Sequence, residues 1–158
     1  MSRIWLLDGR SGSGKTVLAD ALAVELGGTV VHMDDLYPGW GGLDAGSAYA
    51  LERIVLPLSR GEGAEWRRWD WAADARAEQH RLPAGSALVL EGCGALSRAA
   101  AAVAERAIWL ECDERTRRAR ALARDGADDW WEAWRDQEDA FYARETSAAL
   151  ASEVRGCR

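Results

Sequence analysis

Eight residues near the N-terminus, at 9–16, have the types and the spacing that phosphate chemistry needs. They fit the pattern G-x-x-x-x-G-K-[ST]. Glycine lets backbone N–H groups turn toward phosphate oxygens without a Cβ clash, while the lysine can reach the β- and γ-phosphates and the threonine hydroxyl can ligate Mg²⁺. The predicted nucleotide-binding residues are Gly9, Ser11, Gly12, Ser13, Gly14, Lys15 and Thr16.

The flanking segments strengthen this interpretation. An apolar run at 4–7 suits a buried strand, and apolar residues at helical spacing over 17–26 are followed by two glycines that can end a helix. The alternative is a glycine-rich turn that happens to end in Lys-Thr. Lys15 argues against that alternative, because it is the only lysine in a chain whose other nineteen basic residues are arginine. We therefore expect ATP and Mg²⁺ to bind here.

Composition narrows the class of protein. The chain has 158 residues, which suits one domain over 1–158, and its net charge of −6 with no long basic cluster predicts no nucleic-acid partner. No apolar run reaches membrane-spanning length, and the short run before Asp8 is not expected to be a signal peptide. The three scattered cysteines, Cys93, Cys112 and Cys157, predict reduced thiols in a cytoplasmic protein.

The remaining pattern predicts an alternation of strands and helices. Apolar runs at 29–33, 87–90 and 107–110 indicate strands, and the tail at 150–158 is expected either to add a weak fifth strand or to fray. Helices are predicted over 45–60 with a kink at Pro57, over 113–124 and over 129–145, whereas 64–80 shows no clear period. Such alternation indicates a parallel sheet covered on both faces, with the ligand site at the carboxyl ends of its strands.

Carboxylates stand at two of those strand ends. Asp34 and Asp35 follow the second strand, where Asp34 could take the proton of an acceptor hydroxyl; the alternative is a pair that shapes a turn or caps a helix. Glu91 ends the third strand, where it could hold Mg²⁺ opposite Thr16; the alternative is a solvated strand end. A base at Asp34 favours an alcohol as acceptor, because an acceptor that is already a phosphate needs none.

Aromatic and basic residues form two further groups. The segment 66–71 contains three tryptophans and could be a wall on which a flat substrate stacks, or an aromatic mini-core under a loop. Arg117, Arg120 and Arg124 share one face of the helix predicted over 113–124 and could meet ATP phosphates when a lid closes, although most arginines of that helix should be solvated. Trp130, Trp131 and Trp134 are expected to pack.

Together these motifs resemble the uridine kinase and nicotinamide riboside kinase branch of P-loop kinases, from the P-loop to about residue 145. The run at 33–37 resembles the family's Q-D-[SD]-F-[YF], which makes Asp34 the implied catalytic base. Asp44 resembles the aspartate that holds ribose hydroxyls. The run at 69–76 resembles Y-D-F-x-x-H-x-R, so that Trp69, Asp74 and Arg76 fall in the implied acceptor site. Because Asp74 replaces a histidine used near the pyrimidine, we predict little activity on uridine or cytidine.

The resemblance also implies the fold and the remaining roles. Glu91-Gly92 matches the family's E-G, and Arg120 with Arg124 resembles the R-x-x-x-R-D run before the lid, although the lid's R-G-R is absent. The implied fold is the three-layer α/β nucleoside-kinase type, with a parallel sheet in the order second, third, first, fourth, fifth. The substrate segment would span about 36–80 and the lid about 117–135.

The predicted activity is ATP- and Mg²⁺-dependent phosphorylation of a hydroxyl on a small, nucleoside-like molecule. Asp34, Lys15, Arg120 and Arg124 would be catalytic, and Thr16 with Glu91 would hold the metal. Two alternatives stay open, a small-acid or antibiotic kinase and a nucleotide-binding regulator without phosphotransfer. The N-K-x-D motif of guanine switches is absent from the sequence. The sequence leaves the acceptor and the oligomeric state open.

Overall fold

A computed structural model describes residues 3–157. Seven strands lie along this part of the chain: β1 (Ile4–Asp8), β2 (Thr29–His32), β3 (Ala64–Asp70), β4 (Ala75–Leu82), β5 (Leu88–Glu91), β6 (Arg106–Glu111) and β7 (Glu153–Gly156). Five of them form a parallel sheet in the order β2-β5-β1-β6-β7. When only these five strands are counted along the chain, their order in the sheet is second, third, first, fourth, fifth, which is the predicted order. The tail supplies the fifth strand.

Seven α-helices surround the strands within residues 3–157: α1 (Lys15–Leu26), α2 (Leu43–Ala50), α3 (Leu56–Ser59), α4 (Arg98–Ala101), α5 (Glu114–Asp125), α6 (Trp131–Glu145) and α7 (Ser147–Leu150). The fold is thus the predicted three-layer α/β fold. None of the helices in this part of the chain combines the length and the hydrophobicity required to cross a membrane.

Alternating side chains of β1 divide the core between the two faces of the sheet. Trp5 and Leu7 pack with Leu22 and other apolar residues of α1 on one face. Ile4 and Leu6 belong to a larger core on the other face, to which α2, α6 and the strands β3 and β4 also contribute. All five residues of β1 are buried, as expected for a central strand of a parallel sheet.

The helix predicted over 45–60 is interrupted before Pro57 rather than kinked by it. A π-helical turn, Leu51–Val55, separates α2 from α3, and the Leu56 N–H bonds to the Leu51 carbonyl oxygen. Pro57 then lies in the first turn of α3, where its missing N–H leaves no helical hydrogen bond unmade. The wider turn therefore accommodates the proline.

Residues 64–80, for which no regular structure was predicted, contain most of a β-hairpin. β3 and β4 pair antiparallel, with a register shift between Arg67 and Trp69. Ala64 and Trp66 face the core, while long charged side chains pair across the outer face, as Glu65 does with Arg81. The bulge and the large side chains on both faces conceal the two-residue period in the sequence.

The cysteines differ from the prediction. Cys112 and Cys157 form a disulfide, with their Cα atoms 5.1 Å apart, and Cys93 is a buried free thiol. Cys112 directly follows β6 and Cys157 directly follows β7. Because β6 and β7 are parallel neighbours, their carboxyl ends bring the two thiols together, a proximity that spacing in the sequence does not reveal.

Candidate active site

A cavity of about 880 Å³ opens at the carboxyl ends of the strands. The residues that line it are far apart in sequence. They meet because they follow different strands of the sheet or belong to the helices and loops beside those strands. Those predicted from sequence that line it are Ser11, Gly12, Gly14, Lys15, Thr16, Asp34, Glu91, Arg120 and Arg124. The rule that ligands bind beyond strand carboxyl ends located this edge.

The segment 9–16, predicted to bind phosphates and called here the phosphate-binding loop, connects β1 to the start of α1 and packs closely on α5. A Cβ atom at Gly12, whose φ is +83°, would lie 2.2 Å from the Arg117 carbonyl oxygen, so this position requires glycine. The Lys15 ammonium is almost buried and donates to the Arg10 carbonyl oxygen at 3.1 Å and to Ser13 Oγ at 3.4 Å. Burial acts to lower the pKa of Lys15, but nearby acidic groups including Glu91 raise it overall, which keeps the ammonium charged.

Helix α6 holds the same loop from the other side. Glu138, a fully buried carboxylate, accepts the Ser11 backbone N–H at 2.7 Å. Asp139, the next residue, pairs with the Arg10 guanidinium at 2.7 Å. Neither Glu138 nor Asp139 was predicted from sequence. Both lie about 130 residues after the loop, and the pattern of their helix does not indicate that the helix contacts the loop.

Asp8 supports the loop from beneath. Its Oδ1 accepts the Gly9 N–H and the Tyr142 hydroxyl, both at 2.7 Å, and its Oδ2 accepts the backbone N–H groups of Gly94 and Leu96. Complete burial raises the pKa of Asp8 to about 6, and the hydrogen bonds oppose that rise. Asp8 therefore links β1, α6 and the segment after β5.

Asp34 lies in a short 3₁₀ turn, Met33–Asp35, directly after β2. Its carboxyl group lines the cavity and has no hydrogen-bond or ion-pair partner within residues 3–157. Although Asp34 is exposed at the mouth of the cavity, surrounding protein atoms partly desolvate its carboxyl group, and this effect together with the charge of Glu91 raises its pKa. Trp71 Nε1 donates to the backbone oxygen of Asp34 at 2.9 Å and so anchors the turn.

Thr16 and Glu91 meet on the wall of the cavity. Thr16 Oγ1 lies 3.4 Å from Glu91 Oε1, and His32 Nδ1 lies 2.6 Å from the same oxygen. The hydrogen bond to Glu91 raises the pKa of His32, a residue to which the sequence assigned no role. A hydroxyl and a carboxylate suit Mg²⁺, which prefers oxygen ligands and completes its coordination with phosphates and water. Residues 3–157 contain no group of three or more His, Cys, Asp or Glu side chains able to hold a metal.

The three arginines predicted to share a phosphate-facing stripe separate into two environments. Arg117 is buried, donates to the carbonyl oxygens of Cys112 and Ser11, and does not line the cavity. Arg120 and Arg124 do line it. The Arg120 guanidinium lies 3.4 Å from the Ser13 carbonyl oxygen, and Arg124 pairs with Asp125 at 2.7 Å. The packing of the loop onto α5 explains why Arg117 faces backbone instead of the cavity.

The four predicted acceptor-binding residues are not brought into the cavity lining. Asp44 pairs with Arg144 on the surface at 2.9 Å, and Asp74 lies in the exposed turn between β3 and β4. The Arg76 guanidinium stacks over Tyr49, 3.9 Å from the ring centroid, and lies 5.5 Å from that of Trp69. Their role in substrate binding stays a prediction. The indoles that do line the cavity are those of Trp40, Trp71, Trp130 and Trp134.

No known protein-family model matches the chain. Two curated relatives, the tRNA dimethylallyltransferases of Anaeromyxobacter sp. and Anaeromyxobacter dehalogenans, are each 38% identical, over 111 and 109 residues. These matches cover 63% and 61% of this chain. The chain spans only 35% of the length of either relative.

Solved structures resemble the chain over nearly its whole length. A possible uridine kinase from Bacillus stearothermophilus superposes with a TM-score of 0.68 at 18% identity, covering 98% of this chain and 88% of that one. Shikimate kinase from Bacteroides thetaiotaomicron does so with a TM-score of 0.53 at 13% identity, covering 98% and 86%. The predicted fold class is confirmed, and the resemblance to uridine-kinase-like P-loop kinases is confirmed at the level of the fold. The chain therefore has the fold of the P-loop kinases, and its segment 9–16 fits the motif G-x-x-x-x-G-K-[ST].

Proposed function

We propose that this chain is an ATP- and Mg²⁺-dependent phosphotransferase that phosphorylates a hydroxyl group of a small molecule. The observation that carries the proposal is the composition of a single cavity. The phosphate-binding loop with Lys15 and Thr16 lines the same cavity as the Asp34 carboxylate, which no group in residues 3–157 engages. A kinase needs these two features at one place, because the acceptor hydroxyl must lose its proton beside the transferred phosphoryl group.

The residues divide the chemistry among them. Asp34 would accept the proton of the acceptor hydroxyl as that oxygen bonds to the γ-phosphorus and the bond to the β–γ bridging oxygen breaks, releasing ADP. The raised pKa of Asp34 makes it a better base than an ordinary aspartate. Lys15, Arg120 and Arg124 would stabilise the charge on the phosphates. Thr16 and Glu91 would hold Mg²⁺, which neutralises phosphate charge when bound.

Paired steady-state kinetics of Asp34→Asn and Asp35→Asn test the base assignment. Asparagine keeps the size of aspartate but cannot accept the proton, so Asp34→Asn should lose about 10²- to 10⁴-fold in kcat with ATP affinity nearly intact. Asp35, which also lines the cavity, is the matched control, and Asp35→Asn should cost much less in kcat if this carboxylate only shapes the turn. ADP formation is measured against a panel of nucleosides, sugars and amino alcohols, with uridine and cytidine expected to be poor acceptors. Near-parent kcat in Asp34→Asn would show that the base lies elsewhere.

Transfer of a dimethylallyl group to tRNA is a second candidate. The observation that favours it is the 38% identity to tRNA dimethylallyltransferases. A P-loop that binds phosphates would also suit the diphosphate of a dimethylallyl donor. The net charge of −6 offers little attraction to RNA. Transfer of a labelled dimethylallyl group from dimethylallyl diphosphate to tRNA, with release of diphosphate and without ADP formation from ATP, would favour this candidate over the kinase.

Two alternative functions and the cellular location of the protein stay open. A small-acid or antibiotic kinase would use the same ATP-side residues, and a regulator without transfer would use the loop alone. The acceptor panel separates these options. The predicted cytoplasmic location stays a prediction, and the Cys112–Cys157 disulfide counts against a reducing compartment.

A further inference from the structure

Four indoles from three separate segments form one wall of the cavity, called here the aromatic wall: Trp40, Trp71, Trp130 and Trp134. Trp40 comes from the glycine-rich loop after β2, Trp71 from the turn between β3 and β4, and the other two from the start of α6. The Trp40 ring centroid lies 5.2 Å from that of Trp71, 5.5 Å from that of Trp130 and 6.4 Å from that of Trp134. Distant parts of the chain thus converge on one aromatic surface.

The outer members of the aromatic wall are exposed yet held in place. Trp40 is 57% exposed and Trp71 is 39% exposed. The backbone oxygen of Trp40 accepts from Gln137 Nε2 at 2.7 Å, and Trp71 Nε1 donates to the Asp34 backbone oxygen. An indole face that is anchored but left in water is unfavourable unless something covers it, which indicates a ligand surface.

Charge is distributed unevenly along the cavity. Lys15 and Arg120 lie against the phosphate-binding loop, and the charge of Arg124 is matched by Asp125. A carboxylate, that of Asp129, lies directly beside the aromatic wall. A smaller hollow of about 290 Å³ is lined by Trp40, Asp129, Trp130, Ala133 and Trp134. No ion pair or hydrogen bond within residues 3–157 engages the side chain of Asp129.

We propose that the acceptor carries a positive charge, as an ammonium, a quaternary ammonium or a cationic ring, and that this charge binds between the aromatic wall and Asp129. Indole faces attract cations through the ring quadrupole, and a carboxylate beside them supplies the opposite charge. The acceptor's hydroxyl would then lie toward Asp34, whose turn Trp71 contacts. The inference rests on the proposed phosphotransferase activity and specifies the class of its acceptor.

Other acceptor chemistries fit these groups less well. A neutral flat ring would gain contact with the indoles but would leave Asp129 without a partner. An acceptor bearing a phosphate or carboxylate would be repelled by Asp34, Asp35 and Asp129. A cationic acceptor would interact favourably with both the indole rings of the aromatic wall and the negative charge of Asp129.

Binding of matched charged and neutral isosteres to the full chain tests the inference without any turnover. Choline is compared with 3,3-dimethyl-1-butanol, and 1-methylpyridinium with toluene, by isothermal titration calorimetry or ligand-observed NMR. The charged member of at least one pair should bind about tenfold or more tightly than its neutral isostere. Equal binding within both pairs, tighter binding of the neutral members, or no binding of either cation up to about 0.1 M would overturn the inference.

Variants then locate the binding site of the preferred cation. Asp129→Asn should weaken its binding by about three- to tenfold, and Trp130→Leu should weaken it at least as much. Asp136→Asn, which removes the same charge from an exposed position of α6, should bind the cation as the parent does. Parent-like cation affinity in Asp129→Asn, or an equal loss in Asp136→Asn, would contradict the assignment.

Mg²⁺-ATP binding and ADP formation, measured on the same samples, separate this inference from the proposed function. A chain that binds ATP and phosphorylates neutral alcohols without preferring cations would overturn the cationic acceptor alone. A chain that binds the cations at Asp129 but neither binds nor hydrolyses ATP would overturn the phosphotransferase and, with it, the interpretation of the cation as an acceptor.

Discussion

The Asp8 carboxyl group, buried beneath the phosphate-binding loop, makes stability depend on pH at the scale of one residue. Its pKa of about 6 in the folded chain lies above the ordinary 3.8, so the folded state binds the proton more tightly than the unfolded state. The resulting stabilisation is fully present below the unfolded pKa and is lost as pH rises through about 6. Its upper bound is roughly 3 kcal/mol, from about two pKa units at 1.36 kcal/mol each.

Urea unfolding of the parent and of Asp8→Asn between about pH 4 and pH 8 measures this effect. The asparagine variant should be less stable overall, because its amide N–H₂ meets backbone donors, but the fall attributed to Asp8 should be missing from its pH profile. Parallel pH profiles for the two proteins would contradict the prediction, since other titrating groups contribute equally to both.

At the scale of an element, α6 is expected to stabilise the phosphate-binding loop through Glu138. Glu138→Ala removes the acceptor of the partly buried Ser11 N–H and should lower the free energy of unfolding by about 1–3 kcal/mol. Glu138→Gln keeps an oxygen that can accept the same N–H and should lose less. Glu132→Ala, an exposed position of the same helix, is the matched control. Denaturant unfolding ranks the variants, and an alanine variant as stable as the control would show that this contact contributes nothing.

Local patterns predicted the elements whose structure depends on adjacent residues. The loop at 9–16 follows its strand and precedes its helix in one continuous segment, and Asp34 and Glu91 end apolar runs, so sequence located them at the sheet edge. The hairpin formed by β3 and β4 was not predicted, because its bulge and the large side chains on both of its faces conceal the two-residue period. Glu138 and Trp40 escaped it because their importance lies in contacts with segments about a hundred residues away, which no local period encodes.

At the scale of the whole molecule, the Cys112–Cys157 disulfide fastens the last strand to the sheet. The cysteines are 45 residues apart, and closing a loop of that length is expected to stabilise the fold by about 4 kcal/mol through the unfolded state. Dithiothreitol or Cys157→Ser should therefore lower the melting temperature markedly, as differential scanning fluorimetry would detect. Dithiothreitol should not lower it further in Cys157→Ser. If dithiothreitol left the melting temperature of the parent protein unchanged, the disulfide would not stabilise the fold in solution.

At the same scale, the order of the strands in the sheet was predicted from the resemblance to nucleoside kinases, because the alternation of strands and helices predicts a parallel sheet but not its order. The observed order agrees with that prediction, and the tail forms the strand β7, one of the two outcomes left open for it. The thiol pairing was not, since it depends on β7 lying parallel beside β6. Likewise, the acceptor end of the cavity depends on how three separate segments meet, which the sequence does not reveal. In the run at 69–76, the resemblance indicated Trp69 as the substrate-binding residue, whereas Trp71 lines the cavity.

The solitary lysine of the sequence has a practical consequence. Because Lys15 is the one side-chain amine, an acylating reagent aimed at amines can modify, in addition to the α-amino group of the chain, only one side chain, which lies at the phosphate-binding loop. Its near-complete burial should make that labelling slow, and a bound nucleotide should slow it further. Mass spectrometry of the peptide that contains Lys15, which separates this amine from the α-amino group, would follow occupancy of the cavity with no engineered tag or fluorophore. Any lysine acylation that reaches this protein in a cell would likewise strike the same amine and disable the loop.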